Sequence, residues 1–378
     1  MNKKNICILF SIVFLQALVF YYPISTLYRT SHGLTLTDIT IIESISFIIT
    51  MVFELPWGIL ADRIGYKKVL ILSNLLFFIS KIIFYYAFDF NTFLLERIVL
   101  GITIAGLSGC DSSLLYESCG DNDSKHVFAI YSFLGTLGLM VASLSYSIFM
   151  KSNYQLCALC TVIVYGISFI LTLFLDDYQA DNNNTTPSLK GVWHIMKHHS
   201  PYLLIVVGSV LFSETIRECV VFFAQIKLTN IGLPTAYLGV ISFMITLVGM
   251  ISIVSGKLQQ RLSYKQLITS TYFIAIPCLL CIWHSKSSIL IVIMLIIVNA
   301  LDALLAPALN NYEQEVIDDS HRASIISFYS IIGSSLSCVI DIMLGYAGDI
   351  AISNAYILGA LFVVMALCLS LVYFKRQY

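Results

Sequence analysis

The sequence predicts an all-α membrane protein of about twelve spanning helices, folded as two six-helix bundles that repeat one another in parallel. Three observations carry that prediction. The 378 residues are 58% hydrophobic and 11% charged, against roughly 25% charged in an ordinary soluble domain. Apolar stretches recur from end to end, and about 20 residues of helix cross a bilayer core about 30 Å thick. Finally, the charged phrase GILADRIGYKKVL, Gly58 to Leu70, returns as GKLQQRLSYKQLI, Gly256 to Ile268, 198 residues on.

In chain order the spans begin near Ile6, Asp38, Lys68, Thr92, His126 and Asn153, then near Pro201, Thr235, Tyr264, Ser287, Ala323 and Ala351. No small-residue cleavage site follows the first, so it reads as a retained helix and not a signal peptide. An even number of spans puts both termini on one side, and Lys and Arg concentrate on the cytoplasmic side. With the termini inside, that side collects 14 basic residues, among them Arg63, Lys67, Lys68, Lys257 and Arg261; the opposite loops hold only Arg29, Lys151, Lys227 and Lys286. The expectation is a multi-pass protein of a bacterial cell membrane with both termini cytoplasmic. Lys81, Arg97 and Arg217 are left inside spans, and Lys81, toward the outer end of its helix, reads as a snorkelling side chain. The CxxC pairs Cys157/Cys160 and Cys278/Cys281 lie inside apolar spans with no His or second pair to complete a zinc set, so they read as small hydrophobes.

One long polar stretch, DDYQADNNNTTPSLKGVWHIMKHHS from Asp176 to Ser200, divides the chain. The reading is a first bundle over 1–175, a cytoplasmic linker over 176–200 with an interfacial helix around Trp193, and a second bundle over 201–378. Two further echoes support duplication. Tyr116/Glu117 and Tyr131/Ser132/Gly135 reappear as Tyr312/Glu313 and Tyr329/Ser330/Gly333, and GLTLTDI at Gly33 meets GLPTAYL at Gly232. Three echoes in the same order mean a repeated six-helix unit.

These residues resemble the major facilitator superfamily along essentially the whole chain. The family's loop between helices 2 and 3 is matched by Gly58, Leu60, Ala61, Asp62, Arg63, Gly65, Lys67 and Lys68, and its helix 4 signature by Arg97 and Gly101. The helix 5 Gly-Pro signature of many drug antiporters is missing from AIYSFLGTLGLMVASLSYS. The resemblance implies that Asp62 faces the N-terminus of helix 11 and that Arg63 or Lys67 pairs with Asp111. Together with Gly58, Gly65, Glu117 and Arg261 these residues would form a cytoplasmic gate, weaker in the second copy, where Gln260 replaces Asp62.

Polar groups inside lipid cost several kcal/mol unless they meet water or partners. Their helical phase is therefore informative. Spacings of 3, 7 and 11 residues fall on one helix face. Glu43, Ser46, Thr50 and Glu54 share such a stripe; so do Asn299, Asp302 and Asn310, and so do Ser330, Ser334, Ser337 and Asp341. With Arg97, Glu214, Arg217 and Glu218 they define a candidate substrate and proton cavity at Glu43, Arg97, Glu214, Arg217, Glu218, Asn299, Asp302 and Asp341. The serines serve equally well as helix-to-helix glue. Arg217, three residues after Glu214 and beside Glu218, is expected to pair one of them.

The functional expectation is a secondary transporter, monomeric, whose partners are a small-molecule substrate, protons and membrane lipid, with no cofactor, metal or nucleic acid. The leading expectation is proton-coupled export of a small cationic or amphiphilic compound, a multidrug-type efflux, which short loops, short tails and an acidic cavity favour; the alternative is proton-coupled uptake of a small metabolite, which the missing helix 5 signature favours. A membrane-embedded enzyme or a receptor on the same scaffold is the remote alternative. The sequence has no metalloprotease motif, nucleophile elbow or phosphate loop.

Overall fold

A computed structural model describes residues 2–119, 124–151, 153–176, 200–316 and 322–376. The described residues are helical throughout. The first half contains α1 (Lys3–Ala17), α2 (Ser25–Ser31), α3 (Leu36–Ile64), α4 (Tyr66–Tyr86), α5 (Phe90–Leu107), α6 (Cys110–Cys119), α7 (Ser124–Ser145) and α8 (Tyr154–Thr172). The second contains α9 (Leu203–Arg217), α10 (Ala224–Asn230), α11 (Leu238–Gly249), α12 (Ser255–Gln259), α13 (Tyr264–His284), α14 (Ser288–Val316), α15 (Arg322–Ile350) and α16 (Ile352–Arg376). Among the described residues, eleven segments are long and apolar enough to cross a membrane. A twelfth, Leu203 to Asn230, is continuous through α9, a π-helical turn at Glu218–Phe223, and α10; it is long enough, but Glu214, Arg217, Glu218 and Lys227 break its apolar character. The expected starts lie within a few residues of the observed ones. The proposed interfacial helix around Trp193 lies outside the described residues.

Helix starts follow from local chemistry. Asp89 and Thr92 form a capping box at α5, Ser263 and Gln266 another at α13, and Asn153 caps α8 by accepting from Leu156 N–H. The echoed glycines Gly33 and Gly232 both sit at positive φ, +85° and +90°, in the turns before α3 and α11. Only glycine takes that backbone at no steric cost. The duplication is thus visible in backbone conformation as well as in letters.

By contacts the chain divides into two compact units. The first comprises Met1–Leu34, Ile42–Asn184 and Thr235–Phe243; the second Thr35–Ile41, Thr185–Pro234 and Met244–Tyr378. This departs from a simple cut at the linker, because the first turns of α3 and of α11 each pack on a helix from the other half of the sequence. Asp349 of α15 accepts from Leu36 N–H at 2.7 Å, Thr37 N–H at 2.9 Å and Thr37 Oγ1 at 2.5 Å, capping α3 inside the second unit. Gly345, one turn earlier, leaves the space that Thr40 fills; a Cβ there would overlap Thr40 Oγ1 and lie 3.0 Å from the Leu36 carbonyl. Inside the first unit the same crossing recurs with roles exchanged. Gly239 of α11 sits against Ser143 and Ser147, and Ser147 Oγ accepts from Val240 N–H at 3.0 Å.

The side chains facing away from the helix contacts stay apolar, with Leu55, Phe149 and Ile253 more than two-thirds exposed. That is the surface a lipid solvent requires. Inside the first unit Trp57, Val69, Leu70, Leu114, Leu115 and Leu175 form a buried cluster. Its N-terminal strand of chain is tied down by Asp176, which accepts from Lys4 at 2.6 Å, from Asn2 and, through its backbone, from Asn5.

Candidate functional site

Charged side chains gather into two networks, one inside each unit. In the first, Glu43 Oε1 accepts from Arg29 at 2.9 Å and lies 2.8 Å from Arg97 Nη2; Glu96 lies 3.3 Å from Arg97 Nε and 3.4 Å from Lys81 Nζ. The result is a chain of five charges from α2 through α3 and α5 to α4. Arg29 and Glu96 are fully buried. Lys81 does not snorkel: it is buried, paired with Glu96, and faced by the rings of Phe77, Tyr165 and Tyr21 at 5.1, 5.4 and 5.8 Å. Nor is Arg29 an outer-loop residue, as a hydropathy count places it; α2 carries it back into the bundle, where Tyr28 and Phe84 stack beside it. Lys227, assigned to a loop for the same reason, is buried and donates to Trp283 O and Ser353 Oγ.

In the second unit a single guanidinium holds three carboxylates. Arg217 lies 2.6 Å from Glu214, 2.6 Å from Asp341 and 3.2 Å from Glu218. Both acids of its own helix are engaged, where the sequence suggested one. A π-helical turn begins at Glu218, immediately after Arg217. Ser337 donates to the other oxygen of Glu214 at 3.0 Å, and Asp302 joins through Ser213, which donates to it at 2.8 Å. Arg217 and Glu214 keep edges open, with side chains 27% and 19% exposed, while Glu218 and Asp341 are closed off.

The remaining expected residues divide by role. Asn299 donates to the Ile245 carbonyl at 3.0 Å, and Thr50 donates to the carbonyls of Ser46 and Gly101; both act as glue between helices. Glu54 is exposed. Gly101 brings α5 onto α3 so closely that a Cβ would lie 2.8 Å from the Ser46 carbonyl.

Of the gate residues, Gly65 has φ +88° at the sharp turn into α4, and Gly58, Asp62, Arg63 and Arg261 are exposed. The charge pair expected between Arg63 or Lys67 and Asp111 is not formed among the described residues. Asp111 accepts from Tyr131 Oη at 2.8 Å and from Ser112 N–H at 2.7 Å, both within its own bundle. Glu117 is half-buried on α6. Residues 317–321, which precede α15, lie outside the described residues, and with them the surroundings expected for Asp62.

The second unit also carries a half-open cavity of about 170 Å³, lined by Tyr202, Ser209, Asn310, Glu313, Tyr329 and Ser330 among others.

A model of the major facilitator superfamily matches residues 6–340. The chain belongs to the major facilitator superfamily. Among solved structures of the superfamily's fold, a mutant of the nucleoside transporter NupG superposes with a TM-score of 0.84 at 13% identity, covering 98% of this chain and 99% of that one. A bacterial homologue of the human lysosomal transporter Spinster gives 0.77 at 14% identity, covering 99% and 97%. In sequence, a Bacillus subtilis (strain 168) protein named for niacin and nicotinamide transport, NiaP, is 28% identical over 144 residues; the match spans 36% of each chain.

Proposed function

We propose that this superfamily member is a proton-coupled secondary transporter that takes up a small polar metabolite. The observation that carries the proposal is the gathering of carboxylates in the second unit: Glu214, Glu218 and Asp341 converge on the one guanidinium of Arg217, and Asp302 is one residue away through Ser213. In a span, carboxylates in excess of their counter-charges are stable only with protons or cations bound. An edge open to water at Arg217 and Glu214 gives protons a route in and out.

Uptake is favoured over export by the absent helix 5 signature and by the kinds of cargo for which NiaP and NupG are named, heteroaromatic metabolites and not lipophilic cations. Export of a cationic compound is the second reading, because the same carboxylates could exchange protons for an organic cation. The burial of Arg29 and Lys227 supports termini on the cytoplasmic side, since it leaves Lys151 and Lys286 as the basic residues of the opposite loops.

The test is flux into proteoliposomes under an imposed pH gradient, with a panel of nucleosides, pyridine derivatives, amino acids and cationic dyes. Uptake driven by an acidic exterior is expected, and Asp302→Asn or Glu214→Gln should uncouple it. A substrate that moves at a rate indifferent to the gradient overturns proton coupling; a substrate that moves only outward against an acidic exterior establishes export instead.

A further inference from the structure

The duplicated Tyr-Glu and Tyr-Ser-x-x-Gly motifs are not used by either ionic network. In the second half their residues Glu313, Tyr329, Ser330 and Gly333 all line the 170 Å³ cavity, together with Tyr202, Ser209 and Asn310. In the first half the equivalent tyrosine is occupied: Tyr131 donates to Asp111. The position equivalent to Asp111 in the second half is Pro307, which brings no acid. The second copy of the motif therefore lacks the acid that the first copy's tyrosine meets, and its residues line the cavity.

That space has a defined chemistry. Tyr202 and Tyr329 are buried, their ring centroids 5.6 Å apart at 55°, and Tyr312 and Tyr373 brace Tyr202 from behind at 6.0 and 6.3 Å. They offer a fixed aromatic corner. Asn310 and Glu313, three residues apart on α14, stand on the rim with no side-chain hydrogen bond to another described residue. An ionised carboxylate only accepts hydrogen bonds, and a primary amide accepts as well as donates. A volume of 170 Å³ is about six waters' share of liquid, at about 30 Å³ each. It suits one small ring with a substituent.

We propose that this cavity binds the cargo, and that the cargo is a small planar ring carrying N–H donors: a ring carboxamide, an exocyclic amine or a protonated ring nitrogen. The ring lies against Tyr202 and Tyr329, and its N–H groups donate to Glu313 and Asn310. A ring bearing a carboxylate is rejected, because it brings a second negative charge to Glu313 and has no hydrogen to give it. The assignment of the ligand as cargo rests on the transport reading above, whereas the binding itself needs neither a gradient nor flux.

The experiment is equilibrium binding to the purified full-length protein in detergent at fixed neutral pH, by titration calorimetry. The probes are pyridine-3-carboxamide, benzamidine and cytosine, set against pyridine-3-carboxylate and benzoate. At least one N–H-bearing ring should bind, and the carboxylates at least about tenfold more weakly, a difference of about 1.4 kcal/mol. Glu313→Gln should narrow that gap, and Ser330→Phe, which fills the cavity from an exposed position, should abolish binding. Carboxylates that bind as tightly as the N–H donors, a panel that yields no binding at all, or binding that survives Ser330→Phe each overturn the proposal. A protein that binds as described but moves nothing in proteoliposomes refutes the transport reading and leaves the cavity's chemistry standing.

Discussion

Replacing Asp349 tests whether the cap on α3 holds the first turns of that helix to α15. In Asp349→Ala two backbone N–H groups, Leu36 and Thr37, lose their acceptor, and the Thr37 hydroxyl loses a third bond. Loss of an N-cap costs about 0.5–2 kcal/mol, and loss of a negative charge at a helix N-terminus about 0.3–1 kcal/mol. The two together come to about 1–3 kcal/mol, which moves an equilibrium about 5- to 150-fold at about 1.4 kcal/mol per decade. The docking of the first turn of α3 on α15, inside the second unit, should lose population by that factor. Asp349→Asn, which keeps an acceptor oxygen but not the charge, should shift it less. The assay is hydrogen exchange of the Leu36 and Thr37 amides, the two donors of the cap. Their protection is expected to fall by that factor in Asp349→Ala. Unchanged protection of both amides in a monodisperse, folded Asp349→Ala protein would refute the reasoning.

Three other outcomes follow from the same structure. Arg217→Gln removes the counter-charge shared by Glu214, Glu218 and Asp341, and breaking a buried ionic group costs about 3–5 kcal/mol; gradient-driven accumulation should disappear while exchange of labelled for unlabelled substrate across proteoliposomes persists. Gly106→Ala places a Cβ 2.9 Å from the Trp57 ring and against Ser73 Oγ, an overpacking worth about 1–3 kcal/mol, to be read as a lowered thermal midpoint in detergent. At the N-terminus, the hydrogen bonds from Lys4 and Asn2 hold the Asp176 carboxyl below the usual carboxylate range. Its contribution to holding the N-terminus is therefore present above the ordinary carboxylate pKa and is lost as pH falls through the lowered one; the protection of Asn5 and Ile6 from hydrogen exchange, relative to the intrinsic rate at each pH, should fall on acidification, and Asp176→Asn should remove that dependence.

The architecture was legible because lipid makes helix the cheap backbone solution and because duplication wrote the loop phrase twice. The acidic members of the second network were legible too. Glu214, Glu218, Asp302 and Asp341 stand out as charges in apolar spans, and helical phase puts them on inward faces. What phase cannot supply is the partner. Glu43 meets Arg29 and Arg97 from two other helices, and Glu96, beside the signature residue Arg97, is joined to it and to Lys81 only in three dimensions. Arg29 and Lys227 were misplaced for a physical reason: a hydropathy window ends a span at the first charge, whereas the chain continues as buried helix and satisfies that charge inside. The π-helical turn at Glu218 left no signal in the spacing, since it changes register only after a backbone choice that many residues permit. At Asp111 the spacing gave no sign of Tyr131, twenty residues on, whose hydroxyl donates to the carboxylate.

The exchanged crossings at Thr40·Gly345 and Gly239·Ser147 bear on ancestry and on engineering. Under the repeat, Thr40 corresponds to Gly239 and Ser147 to Gly345, so at each crossing one copy supplies the side chain and the other supplies the vacancy. Two copies of the first half brought together would set Ser147 against Thr40, a collision where a single side chain fits; two copies of the second would set glycine against glycine and leave a void. The halves have become left and right gloves. A gene encoding either half in duplicate should yield no working molecule, whereas the two different halves expressed as separate polypeptides should find each other and reassemble.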